Sequence, residues 1–249
     1  MGAKTGLLAF ADGDVPTALR RVGTPDARRT AELVRRTHPG FEVSATDGNT
    51  LSDGSYPPDK VTYAASLPGV DILCDRRFMV DRPSELPAHL LGLAAGRRVV
   101  LHAMHSVVDW LAFAVWEDGE LVRSLSVSPD GGVGEDIGTP YAFELPHRAG
   151  QHPVLPAAEW DDEEPYPLPY HPLELGEEAL RHLFGFTIEG RRRPGDVDAD
   201  AIALLGFRVV DPTGREAAER RALLEQVQAM GPPRQFRYEN GRMVEVVDR

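Results

Sequence analysis

A single cysteine, Cys74, is all that 249 residues contain, so no internal disulfide can form and the chain suits a reducing compartment. Long apolar runs are missing too: nothing approaches the ~20 residues that a transmembrane helix needs. The N-terminal stretch passes from Lys4 into LLAFADGD, with carboxylates where a secretory leader would stay apolar. Cytoplasmic residence is the expectation. Basic residues are in deficit, with 27 Lys and Arg against 39 Asp and Glu, for a formal charge of −12. A general nucleic-acid binder or a protein held on anionic membranes needs the opposite balance, so neither partner is expected. The local basic runs RRTAELVRR and GRRRPG read as a charged helix face and a solvated loop. HExxH, GxSxG and CxxC are absent, which removes the commonest zinc-peptidase, serine-hydrolase and thiol-redox readings. GGVGEDIG lacks the Gly-Lys-Ser/Thr of a phosphate loop and the spacing of a dinucleotide fingerprint, and reads as a turn.

What is present organises into helices and mostly antiparallel strands. GLLAFA, residues 6–11, is a short buried strand, and a helical stretch follows from about Pro16. TPDARRTAELVRR predicts a helix with Thr24 as cap, Pro25 at the first position, and Ala27, Ala31, Leu33 and Val34 as its apolar stripe. FEVSAT is a second strand and DGNTLSDGSYPPD is loop chemistry. VDILCDRRFMV predicts one strand, with Ile72, Cys74, Phe78 and Val80 on one face. A helix within 82–96 has Ser84 as its cap and Gly96 as its stop. RRVVLHAMH and the hairpin DWLAFAVWEDGELVRSLSVS, turning at Asp118-Gly119, form an antiparallel meander. Residues 129–173 are loop-rich, and the acidic, proline-rich segment 159–172 is either a solvated loop stapled to the body by Tyr166, Leu168 and Tyr170, a lid over the chain's own pocket, or an extended ligand for an aromatic groove. LELGEEALRHLFGF is a helix packing Leu180, Leu183 and Phe184 inward and ending at Gly185, and LLGFRVVD is a further strand. A helix carrying Leu223, Leu224, Val227 and Met230, stopped at Gly231, and a hairpin over Asn240-Gly241 close the chain. The expected fold class is therefore α+β, a mostly antiparallel central sheet flanked by helices. Residues 1–211 would form the main domain and 212–249 a helix-and-hairpin appendage.

MGAKTGLLAFADGD, LCDRRFMVDRPSELP, LHAMHSVVDWLAFAVWEDGELVRSLSVSPDGG and PYPLPYHPLELGEEALRHLFGF resemble an uncharacterised family, a domain of unknown function, from high-GC Gram-positive bacteria. The resemblance covers roughly residues 1–210 and implies no activity.

Three groups of residues invite chemistry. LLAFADGD resembles the opening of haloacid-dehalogenase-like phosphatases, in which one of Asp12 and Asp14 would be nucleophile and magnesium ligand and the other the general acid. Such a site also needs a parallel sheet, which the meander opposes. The simpler reading has Asp12-Gly13 as a turn and Asp14 as the cap of the following helix. His102 and His105 are three apart on a strand and face opposite ways, so they cannot share an ion unless the strand breaks between them. His105 with Asp109 would make a usable general base if the intervening HSVV turns. Asp75, Arg76 and Arg77 in an otherwise apolar strand are an internal ion pair, an edge position or an anion-binding wall. Cys74 faces the core and has no base beside it. No cofactor and no metal centre are expected. The function expected is a cytosolic, non-enzymatic interaction or regulatory module, with a protein partner or self-association. The alternative is a small-molecule or phosphate-ester hydrolase using Asp12, Asp14, His105 and Asp109.

Overall fold

In the computed structural model the residues described are 2–21, 23–154, 166–229, 235–239 and 242–246. At 220, 223, 224, 227, 228 and in the two strands beyond 229, only the backbone course is described. The chain divides into two units, Met1–Val210 and Asp211–Arg249. The first unit begins with β1 (Lys4–Ala11), α1 (Val15–Leu19), α2 (Ala27–Thr37), β2 (Glu42–Thr50), the single turn α3 (Leu51–Gly54), β3 (Val61–Leu67) and β4 (Val70–Cys74). It continues through α4 (Ala88–Leu93), β5 (Arg98–His105), β6 (Trp110–Glu117), β7 (Glu120–Ser128), β8 (Gly132–Gly138), α5 (Glu144–Arg148), α6 (Pro172–Phe184) and β9 (Ala203–Val210).

The nine strands form one open sheet in the order β2-β9-β3-β4-β1-β5-β6-β7-β8. Every pairing in it is antiparallel, which establishes the α+β class. Alternation along the strands divides the side chains between two cores. On one face Leu7, Ile72, Val100 and Phe113 meet the helices α1 and α6 through Leu19, Leu180 and Phe184. On the other, Leu8, Phe10, Leu73 and Leu101 meet α2 and α4 through Leu33, Val34 and Leu90. Both faces of the central strands are covered, so β1 reads as a nearly continuous apolar run. Each fully buried leucine or phenylalanine in these layers contributes about 1.5–3 kcal/mol.

Local chemistry explains most element boundaries. Asp14 caps α1, its Oδ2 accepting from the Thr17 backbone N–H at 2.9 Å and from the Thr17 hydroxyl at 2.7 Å. The cap of α2 is Asp26 rather than Thr24: its Oδ1 accepts from the Arg29 N–H at 2.9 Å, which leaves Pro25 outside the helix. The buried stripe of α2 is accordingly Thr30, Leu33, Val34 and Thr37, while Ala27 is exposed. The segment read as loop after FEVSAT instead prolongs β2 through a bulge between Thr46 and Asn49 and then forms α3. Gly206 of β9 makes that possible, because a Cβ there would lie 1.9 Å from the Asp47 carbonyl oxygen. β3, absent from the sequence reading, pairs with β4 across Pro68-Gly69, where Gly69 has φ +81°.

The strand expected over VDILCDRRFMV stops at Cys74. Asp75 accepts from the Arg77 N–H at 2.8 Å and caps a 3-10 turn, Arg76–Phe78. Phe78 consequently joins the face of Leu73 rather than that of Ile72 and Cys74. Ser84 does not cap α4; it lies in a separate 3-10 turn, and both its N–H and its hydroxyl bond Glu135. GGVGEDIG is not a turn but contains the edge strand β8.

The largest fully buried side chain among the described residues is charged: Arg123 of β7. Its guanidinium bonds Glu144 of α5 at 2.8 and 2.5 Å, Asp136 of β8 at 2.8 Å and the Ile137 carbonyl at 2.7 Å. A buried ion costs several kcal/mol unless it is paired and its donors are satisfied, and this one is both. It ties α5 to the β7–β8 edge.

The second unit comprises α7 (Arg215–Ala229), β10 (Gln235–Glu239) and β11 (Arg242–Val246). The two strands pair with Glu239 opposite Arg242. The expected Asn240-Gly241 turn, the helix stop at Met230-Gly231 and the side chains of Leu223, Leu224 and Val227 lie outside the described residues.

Candidate functional site

β1 and β5 run antiparallel with Lys4 opposite His105 and Ala11 opposite Arg98. That register puts the Asp12-Gly13-Asp14 turn and His105 at opposite ends of the same pair of strands. Seven strand residues at ~3.3 Å each separate them by about 23 Å. Asp14 is engaged as a helix cap. Asp12 follows the end of β1, where its N–H donates to the Gly69 carbonyl at 3.0 Å.

At the other end, His105 accepts from the Val107 N–H at 3.3 Å and meets the edge of the Tyr56 ring at 5.9 Å. Arg76 lies over the same ring at 4.3 Å. His105 and Arg76 are therefore brought together, and burial, with the charges of Lys4 and Arg76, pushes the imidazole pKa down. The Arg76 guanidinium also bonds the Pro57 carbonyl at 2.6 Å and Asp59 at 3.0 Å. Arg77 pairs with Asp75 at 3.2 Å, which is the internal ion pair rather than a bare cationic wall. Burial raises the Asp75 carboxyl, but the His38, Arg77 and Thr62 contacts outweigh it and hold the pKa below the usual range. Burial, then the Asp75 charge, pushes the Cys74 thiol far up, which leaves it inert as a nucleophile. Asp109 adopts φ +45° and turns to His171, 3.5 Å away, rather than to His105. His171 Nδ1 accepts from the Leu173 N–H at 3.3 Å and so caps α6.

The polar groups that do converge lie elsewhere. A cleft of about 940 Å³ opens beside α6, lined among others by His147, His152, Glu174, Glu177, Glu178 and Arg193. The fold places them for local reasons. α5 ends at Arg148, and Gly150, at φ +70°, reverses the chain. His152 is thereby laid on His147, with ring centroids 4.3 Å apart and planes 19° from parallel. Tyr170 meets His147 edge-on at 5.9 Å. Because α6 starts at Pro172, Glu174 falls in its first turn, at the cleft. Glu177 accepts from the N–H groups of Ile188 and Glu189 at 2.9 and 3.0 Å, while Glu178 pairs with Arg193 at 2.6 Å. Those bonds fix the loop after α6 as the opposite wall. Burial, then the His152 charge, lowers the His147 pKa against the pull of Glu174 and Glu178, which keeps the ring neutral near pH 7. His147, His152 and Glu174 each offer a ligand atom within 4.8 Å of the other two.

None of these three residues was singled out in the sequence. The one local signal is His147 and His152 on either side of a Gly-containing turn; Glu174 is supplied from beyond the proline-rich segment. Of that segment, residues 155–165 lie outside the described ones. Tyr170 is buried, Leu168 packs on the core and Tyr166 stacks on His171 at 5.5 Å, so its far end is stapled as expected.

A match to residues 5–207 covers nearly the whole first unit and decides the family. The chain belongs to DUF6928, a family of unknown function. No curated protein and no solved structure matches it. Membership in DUF6928 agrees with the resemblance to an uncharacterised family and brings no reaction with it. Among the described residues no helix is long and apolar enough to cross a membrane.

Proposed function

We propose that this chain is a non-enzymatic interaction or regulatory module of the bacterial cytoplasm, and that its protein partner docks in the cleft beside α6. One observation of placement carries the reading. The four residues a hydrolase would need are dispersed, with Asp12 and Asp14 about 23 Å from His105 by strand length and Asp109 turned to His171. Catalysis needs its acid, base and nucleophile within hydrogen-bond reach of one substrate. Carboxylates, imidazoles and a guanidinium converge instead on a single concave surface, the usual form of a binding site. Self-association belongs to the same proposal, with the second unit as the part that meets another copy, since a two-stranded sheet alone is marginal in water.

The test is affinity capture from the native host with the full chain, with Arg193→Glu in the cleft wall, and with Arg36→Glu on the exposed face of α2. Loss of a captured protein with Arg193→Glu alone is the expected result. Equal capture by all three removes the cleft as the docking face. Turnover of an aryl phosphate ester that disappears in Asp12→Asn would replace the module with a hydrolase.

A further inference from the structure

We propose that His147, His152 and Glu174 form a three-ligand zinc site whose fourth coordination position opens into the cleft. The proposal deepens the cleft reading and rests on it only for the idea that a docking group completes the coordination.

The donor set is the first argument. Two imidazole nitrogens and one carboxylate are a combination that zinc accepts, with three protein ligands and one open place. Magnesium and calcium take oxygen ligands and have little use for two imidazoles. The spacing is the second. Donor atoms within 4.8 Å of one another surround a volume slightly larger than zinc requires. Bonds of ~2.0–2.2 Å in tetrahedral array put donors about 3.4 Å apart, so the set closes by no more than about 1.4 Å. His152 and Glu174 are exposed and can supply that movement by rotation about their own side-chain bonds. His147 is held in place.

His147 also provides the independent observation. It is 3% exposed, it lines the cleft, and among the described residues its Nδ1 has no hydrogen-bond partner. An unmet buried polar group costs about 1–3 kcal/mol and calls for a reason. His102, which is as deeply buried, has both ring nitrogens paired, with Thr5 and with the Gly176 carbonyl. The fold thus satisfies a buried imidazole where it needs only packing, and leaves one unmet beside a second imidazole and a carboxylate.

The experiment uses the full chain, stripped with a chelator and titrated with zinc chloride by calorimetry, followed by cobalt(II) substitution and a visible absorption spectrum. One zinc per chain is expected, with cobalt bands of a four- or five-coordinate ion and no response to magnesium or calcium. His152→Ala and Glu174→Gln should each weaken zinc at least tenfold while the ion-free melting point stays at the parental value, since both side chains are exposed. Absence of stoichiometric zinc overturns the site, as does zinc binding unchanged in both variants, which would place the ion on other histidines. If zinc fails while Arg193→Glu still abolishes capture, only the ion site falls. If zinc binding requires His152 and Glu174 while capture ignores the cleft, the ion site stands and the docking reading falls.

Discussion

His102 shows how a single residue in β5 sets an acid limit on the fold. Its Nε2–H donates to the Gly176 carbonyl and its Nδ1 accepts from the Thr5 hydroxyl, both at 2.9 Å. Burial depresses its pKa to about 4, against the opposing pull of the Gly176 carbonyl. The unfolded imidazole titrates near ~6.5. Between those values the unfolded chain takes up a proton that the folded chain refuses, so stability is complete above pH 6.5 and falls as the pH drops toward 4. The loss is on the order of 3 kcal/mol at ~1.4 kcal/mol per unit. Glutamine can accept from Thr5 and donate to Gly176 without titrating. Urea unfolding at pH 7 and pH 4.5 should therefore show the parent losing about 2–3 kcal/mol more than His102→Gln; equal losses would remove His102 as the sensor. At this scale the sequence is readable where a rule is local. Asp14 as a cap follows from its place before Val15-Pro16. Arg123 does not follow from LVRSLSVS, because its partners come from β8 and α5. The His147, His152 and Glu174 cluster is equally hidden, since α5, the turn after it and α6 each contribute one donor.

Elements announce themselves when turn chemistry and alternation agree. The β6–β7 hairpin does both, with Asp118 at φ +50°, Gly119 at φ +83° and Glu117 opposite Glu120. Open space surrounds the Gly119 Cα, so a side chain there meets no neighbour and the cost of Gly119→Val is conformational. A β-branched residue forced to positive φ should lower stability by about 1–2 kcal/mol, measured by thermal or urea unfolding. An unchanged midpoint would mean that the turn relaxes to another type. Where the signals conflict, the elements are obscure. Asp47, Gly48 and Asn49 have turn composition, yet β2 carries them through as a bulge because Gly206 lets the backbones approach. β3 hides because Ala64 and Ala65 are both buried, one against each face, which erases alternation. β8 hides behind its glycines, and Gly138 is needed there because a Cβ would lie 2.0 Å from the Val122 carbonyl oxygen.

At the scale of the molecule, the position of β9 determines where the chain can be shortened. It is the last strand of the first unit, yet it lies between β2 and β3, with Val43 opposite Val209 and Tyr63 opposite Gly206. Removing it would leave β2 with no strand neighbour and expose a long edge on β3. A cut after Val210 removes no strand of the nine, and the family match already ends at residue 207. We therefore expect a chain ending at Val210 to keep the full-length unfolding midpoint, and one ending at Asp200 to fail to fold. Light scattering on the same samples tests self-association. If the second unit meets another copy, the full chain at micromolar concentration has twice the monomer mass and the Val210 truncation has the monomer mass. A full chain that is already monomeric removes self-association, and a Val210 truncation that remains dimeric places the contact on the nine-stranded unit. Loss of folding after the Val210 cut would show that α7 and the β10–β11 pair are part of what stabilises the sheet.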